Sequence, residues 1–231
     1  MSEGTAGSMP DTRSHFHQEL EALEQTLIGA ADAAEQMVGM AVESFCEPDL
    51  ELAAQVKAGE GEVDAILVNF REEWLQLMAR QQPMGSDLRL MTVLLESAVT
   101  LERTGRQAAN IATMAETAEG LPPVEPMVSQ IREMGDLVRN MIRTGLDSFV
   151  RRDADEARLL PVMDEPVDRL NREMYRLVVD AGPDRDRLEF ATKGFMVARA
   201  LERVGDQVVD IAEHVIFLMT GDIGEFDESG L

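Results

Sequence analysis

From Leu20 the apolar residues fall at Leu20, Leu23, Leu27, Ala30, Ala34, Met37 and Ala41, in alternating steps of three and four. That spacing returns to one face of a 3.6-residue helix and predicts the seam of a bundle helix. Phe45 closes the stretch, and Glu47-Pro48-Asp49 supplies a break and then a cap for a second helix from about Asp49 to Gln81. Gln82-Pro83-Met84-Gly85-Ser86-Asp87 predicts a loop, with proline and glycine to stop one helix and a serine or aspartate to cap the next. A third helix runs through Leu88, Leu95, Glu102 and Ile111 to about Glu119. Gly120-Leu121-Pro122-Pro123 then marks a domain boundary, and the pattern restarts with helices over 124–150, 153–181 and 184–220.

The two halves match. Shifted by 104 residues, Leu27, Met37, Phe45, Asp49, Ala53, Val63 and Asp64 meet Ile131, Met141, Phe149, Asp153, Ala157, Val167 and Asp168. After the Pro83 loop the shift falls to 100, and Leu101-Glu102-Arg103-Thr104-Gly105 meets Leu201-Glu202-Arg203-Val204-Gly205. Self-similarity at a fixed offset is the mark of a duplicated unit. The expected fold is all-α, a tandem repeat of two three-helix bundles with six long helices. Its parts are a disordered tail over 1–11, bundles over 12–120 and 121–221, and an acidic tail over 222–231.

Composition narrows the function. Apolar residues make up 45% of the 231, enough for a buried core, and fifteen methionines against one tryptophan, one tyrosine and eight phenylalanines suit helices better than sheets. A net charge of −23 argues against nucleic acid as a partner, because a phosphate backbone needs a concentrated basic face. The lone Cys46 excludes an intrachain disulfide and fits a reducing compartment. No apolar run approaches the roughly 20 residues that cross a bilayer, and Met1 to Asp11 carries neither a basic nor a hydrophobic targeting segment, so a cytoplasmic protein is expected.

The segment with chemistry is Glu202-Arg203-Val204-Gly205-Asp206-Gln207-Val208-Val209-Asp210. Steps of four put Glu202, Asp206 and Asp210 on one helix face. Like charges at that spacing cost roughly 0.2 to 0.5 kcal/mol per pair and call for a compensating partner. A cation such as Mg²⁺, Mn²⁺ or iron would be one. Alternatively, Arg199 and Arg203, each three residues before a carboxylate, neutralise a solvated face, and spacing leaves both readings open. Gly205, unfavourable inside a helix by about 1 kcal/mol, implies close approach of a neighbouring helix.

Arg80-Gln81-Gln82-Pro83-Met84-Gly85-Ser86-Asp87-Leu88-Arg89, with Leu101-Glu102-Arg103 and Leu201-Glu202-Arg203-Val204-Gly205-Asp206, resembles the PhoU family over about residues 12 to 220. The resemblance implies two repeated three-helix bundles with an acidic motif on the third helix of each. It also implies a non-enzymatic regulator of phosphate uptake that couples a phosphate ABC transporter ATPase to a sensor histidine kinase, reaching the membrane through these partners. Some members bind metal at the motifs, so no cofactor is required but a divalent or iron cation (Mg, Mn, Fe or Zn) is a candidate. Carried over by residue, the second motif is met at Glu202 and Asp206, with Asp210 a turn further on. The first keeps Glu102 but has Arg106 and Asn110 where the second has Asp206 and Asp210. Arg106 is expected to pair with Glu102, so the first half should hold no metal and the second should hold it weakly.

No Glu-x-x-His occurs, which counts against a di-iron oxidase, and no nucleophile stands at a recognisable spacing from a base. His15, His17 and His214 are expected in surface or packing roles, and the methionines as core filler. Homodimerisation is expected, because thin bundles with long apolar seams leave a patch to bury. A metal-binding or metal-storage bundle is the alternative function.

Overall fold

The computed structural model describes residues 10–222. Its helices are α1 (Pro10–Cys46), α2 (Leu50–Gln81), α3 (Ser86–Thr117), α4 (Glu125–Arg151), the single-turn α5 (Ala154–Ala157), α6 (Leu160–Asp180) and α7 (Arg185–Thr220). Among the described residues there are no strands. The helix from Pro10 takes in the end of the expected first tail; residues 1–9 and most of the acidic tail, 223–231, lie outside the described residues.

The ends follow local chemistry. Asp49, Asp153 and Asp184 cap α2, α5 and α7 through their carboxylates, accepting from Leu52 N, from Asp155 and Glu156 N, and from Asp186 and Arg187 N. The cap expected from Ser86 or Asp87 is not formed. Gly85, at φ 61°, is the residue before the helix, so Ser86 is already helical and its hydroxyl has no role as a cap. The single helix expected over 153–181 is split. Pro161 has no N–H to give Ala157, and the chain makes a tighter turn, Leu159 N to Glu156 O at 3.1 Å, before α6 begins. Lys57 stands at the same place in the first repeat, where α2 runs unbroken.

Helices α1, α2 and α3 pack on one another as one bundle, and α4, α6 and α7 as the other. The bundles join through two antiparallel pairs, α1 with α4 and α3 with α7, leaving α2 and α6 outermost. The antiparallel sense is read from residue pairs: Glu47 with Arg132 and Glu35 with Arg143 across the first, Thr104 with Gln207 and Ser97 with His214 across the second. Glu35 is 92% buried, yet it accepts from Arg139 Nε at 2.8 Å and from Arg143 Nη2 at 2.6 Å, so its charge is paired. Arg139 is Glu35's own counterpart at the 104-residue shift. The duplicated position has taken opposite charges, which ties the repeats together. Arg139 fits because Gly39 faces it, where an added Cβ would stand 2.9 Å from Nε.

Candidate functional site

The acidic motif of the second repeat lies on α7 where α6 packs against it. Glu202 and Gly205 face α6, whereas Asp206 and Asp210 keep more than a third of their surface in water. The expected reason for Gly205 is present: a Cβ there would overlap Asp164 Oδ1 of α6 and stand 3.3 Å from its Cγ. Asp164 is 9% exposed, and its Oδ1 accepts no hydrogen bond from any described residue.

Burial, and then the charges of Asp168, Asp206, Glu202 and Glu165, push the Asp164 carboxyl up to about 7. Glu202 and Asp206 are raised as well, by burial first; the neighbouring carboxylates Asp168 and Asp206 add to this at Glu202, and Asp168 and Asp210 at Asp206. Asp210 is raised by burial and eased by Arg103 of α3. Asp206 and Asp210 both keep contact with water, and at Asp206 the like charges of Asp168 and Asp210 reinforce the upward direction. Within this helix Arg199 Nη1 is 2.7 Å from Glu202 Oε1, and the charges of Arg199 and Arg203 both ease Glu202 and Asp206 downward.

The first repeat keeps the acids of its second helix and, of the three on its third, keeps Glu102 alone. Glu60 and Asp64 stand where the second repeat has Asp164 and Asp168, but Arg106 and Asn110 replace Asp206 and Asp210. Arg106 Nη2 is 2.6 Å from Glu102 Oε1, the pairing expected, and Arg71 of α2 holds the other oxygen. These hydrogen bonds, Arg71's foremost, hold the Glu102 carboxyl below the usual range. Asn110 donates to Gln107 Oε1 at 3.4 Å. A guanidinium pair therefore sits where the second repeat has open carboxylates.

The structure adds two acids to this region, Asp164 and Asp168 of α6. The repeat aligns Asp64 with Asp168, and Glu60 with Asp164 at the same shift, so acidity retained on the second helix is the sequence signal for them. On donor chemistry the second repeat suits a hard cation and the first does not. The donors are not gathered into a preformed cage: among the described residues no three His, Cys, Asp or Glu side chains are placed to hold a metal ion together.

The remaining candidates have structural surroundings. Cys46 Sγ lies 3.8 Å from Val128 O, and burial pushes the thiol up to about 11, so it is not a reactive thiolate. His214 lies in the α3–α7 seam with Ser97 Oγ 3.4 Å from Nδ1, and burial pushes it down to about 4. Glu96 is 3.5 Å from its Nε2 and favours the charged form, but this carboxylate is half exposed and water screens it, so we take His214 as neutral. No helix among the described residues is long and apolar enough to cross a membrane.

Comparison with known proteins meets the same duplication. The PhoU domain matches residues 27–115 and again 131–215. A Pseudomonas putida protein named phosphate-specific transport system accessory protein PhoU homolog is 35% identical over 209 residues, 89% of this chain and 81% of that relative. Its Pseudomonas aeruginosa namesake is 34% identical over 89% and 86%. The crystal structure of PhoU from Pseudomonas aeruginosa superposes with a TM-score of 0.84 at 33% identity, covering 90% of this chain and 100% of that one. That of the phosphate transport system regulatory protein PhoU from Streptococcus pneumoniae gives 0.82 at 24% identity over 91% and 99%, a likeness that bears on fold alone. The unit repeated along this chain is that domain, and the chain belongs to the PhoU family.

Proposed function

We propose that this protein is a non-enzymatic accessory regulator of phosphate-specific transport, which couples the transporter's ATPase to a sensor histidine kinase and restrains the starvation response when phosphate is plentiful. The observation that carries this reading is the 35% identity over 89% of the chain to a relative named as an accessory protein of that system. The packing of α3 on α7 and of α1 on α4, with Glu35 paired to Arg139 and Arg143 across the repeats, joins the two bundles into one body that can present its helix faces to partners.

In the same reading, the carboxylates of Asp164, Asp168, Glu202, Asp206 and Asp210 take up one divalent or iron cation, and Arg71 and Arg106 replace it in the first repeat. The orphaned, buried oxygen of Asp164 favours this. A bound cation would supply charge neutralisation and a link between α6 and α7.

The test is affinity capture of the tagged protein from phosphate-replete cells. Co-purification of the transporter ATPase or of a sensor kinase is expected. Capture of neither, from cells shown to contain both, would overturn the regulatory reading.

A further inference from the structure

Where α1 ends beside the start of α4, a cavity of about 340 Å³ opens to the surface. Its floor is apolar, formed by Phe45 and Phe190, whose ring centroids are 5.3 Å apart, with Leu121 and Val128. Its rim carries Pro48, Glu125 and Arg132. A space of that size, apolar below and polar at the mouth, suits a small organic group.

The other repeat fills the same place with a side chain of its own. At the 104-residue shift Phe45, Pro48 and Val128 correspond to Phe149, Arg152 and Glu24. Asp49 N and Asp153 N bond to Ser44 O and Ser148 O, so the two helix ends turn alike. The guanidinium of Arg152 lies 4.6 Å from the centre of the Phe149 ring, and its Nη2 pairs with Glu24 of α1. Its Nη1 and its backbone N donate to Phe149 O at 3.0 and 3.3 Å. Pro48 has neither a guanidinium to cover Phe45 nor an N–H to give Phe45 O, and Val128 has no carboxylate. The cavity is the space that this ion pair occupies in the other half.

The charges around the mouth favour a cation. No basic residue stands in the last turn of α1, so nothing within the helix offsets the negative end of its dipole. Arg132 is already held by Glu47 at 2.8 Å, whereas the exposed Glu125 forms no ion pair among the described residues. The net charge of −23 draws cations to the whole surface.

We infer that this cavity takes a guanidinium from outside the chain, carried on a short apolar stem. The planar cation covers Phe45 as Arg152 covers Phe149 and donates to Phe45 O. The Glu125 carboxylate at the mouth balances its charge, and the stem rests on Phe190 and Leu121.

The test titrates the full chain with butylguanidinium by calorimetry, beside butylurea, its uncharged counterpart of similar shape. The guanidinium should bind at least about tenfold more tightly. At alkaline pH it should also slow alkylation by N-ethylmaleimide of Cys46, which lines the cavity. Glu125→Gln should weaken binding roughly threefold. Pro48→Arg with Val128→Glu, which copies the other repeat's pair, should abolish it with helicity by circular dichroism unchanged. Binding of Nα-acetylarginine amide as tightly as butylguanidinium would support the site and assign its cation to an arginine of a partner protein; binding of butylguanidinium alone would support it and assign a free compound. A guanidinium that binds no better than butylurea, or not at all, overturns the inference. So does binding that leaves Cys46 as reactive as before, which would place the cation on the acidic surface.

Discussion

The carboxyl group of Asp164 on α6 rests against the bare backbone of Gly205 on α7, in space that a β-carbon at 205 would occupy. At the matching position of the first repeat, an added Cβ on Gly105 meets only Met37 Cε at 3.9 Å, an ordinary contact. Opposite effects of one substitution follow. Gly105→Ala should stabilise the protein by about 0.5 to 1 kcal/mol through helix propensity, and Gly205→Ala should destabilise it by about 1 to 3 kcal/mol through overpacking. Urea unfolding of the two variants checks this, and equal effects would contradict the account.

Asp164 also sets a pH dependence in chelator-treated protein. Its folded carboxyl titrates at about 7 against 3.8 in the unfolded chain, so between those values the folded state holds the extra proton. Stability should therefore fall as pH rises from about 4 through 7, by at most about 4 kcal/mol. Asp164→Asn should remove most of that slope and raise Tm at pH 8 while leaving it nearly unchanged at pH 5. Thermal melts at the two pH values measure it.

His214 works in the opposite sense. Its folded value of about 4 lies below the unfolded 6.5, so the unfolded chain binds the extra proton, and stability should be lost as pH falls from about 6.5 to 4. The loss is at most about 3 kcal/mol, reduced by Glu96 as the ring charges. Met114 holds the matching place in the first repeat, and His214→Met should flatten this acid limb in melts between pH 7 and 4.5.

Titration with Mn²⁺ should show one site per chain, lost in Glu202→Ala with Asp206→Ala. The first repeat should gain a site only when Arg71→Tyr, Arg106→Asp and Asn110→Asp transplant the second repeat's residues. Isothermal calorimetry reads the stoichiometry, and two equal sites in the parent would contradict the assignment of Arg71 and Arg106.

The duplication, the six long helices and the reason for Gly205 were legible because helical spacing and a repeated register are properties of the sequence itself. So was the Glu102–Arg106 pair, four residues apart on one helix. Arg71 was not, since it reaches Glu102 from α2 and only packing shows which residues of two helices meet. Asp164 stayed hidden for the same reason: an acid on an amphipathic helix reads as surface until a glycine on the next helix is seen to admit it to the interior. The break before α6 was readable in Pro161, but the strong pattern on both sides of it masked the tighter turn.

The proposed restraint of the phosphate-starvation response is read from expression of a starvation-induced phosphatase in phosphate-replete cells with the gene removed. The account predicts high expression in the deletion strain, returned to the low level by the wild-type chain. Low expression in the deletion strain, with phosphate uptake also unchanged, would contradict it.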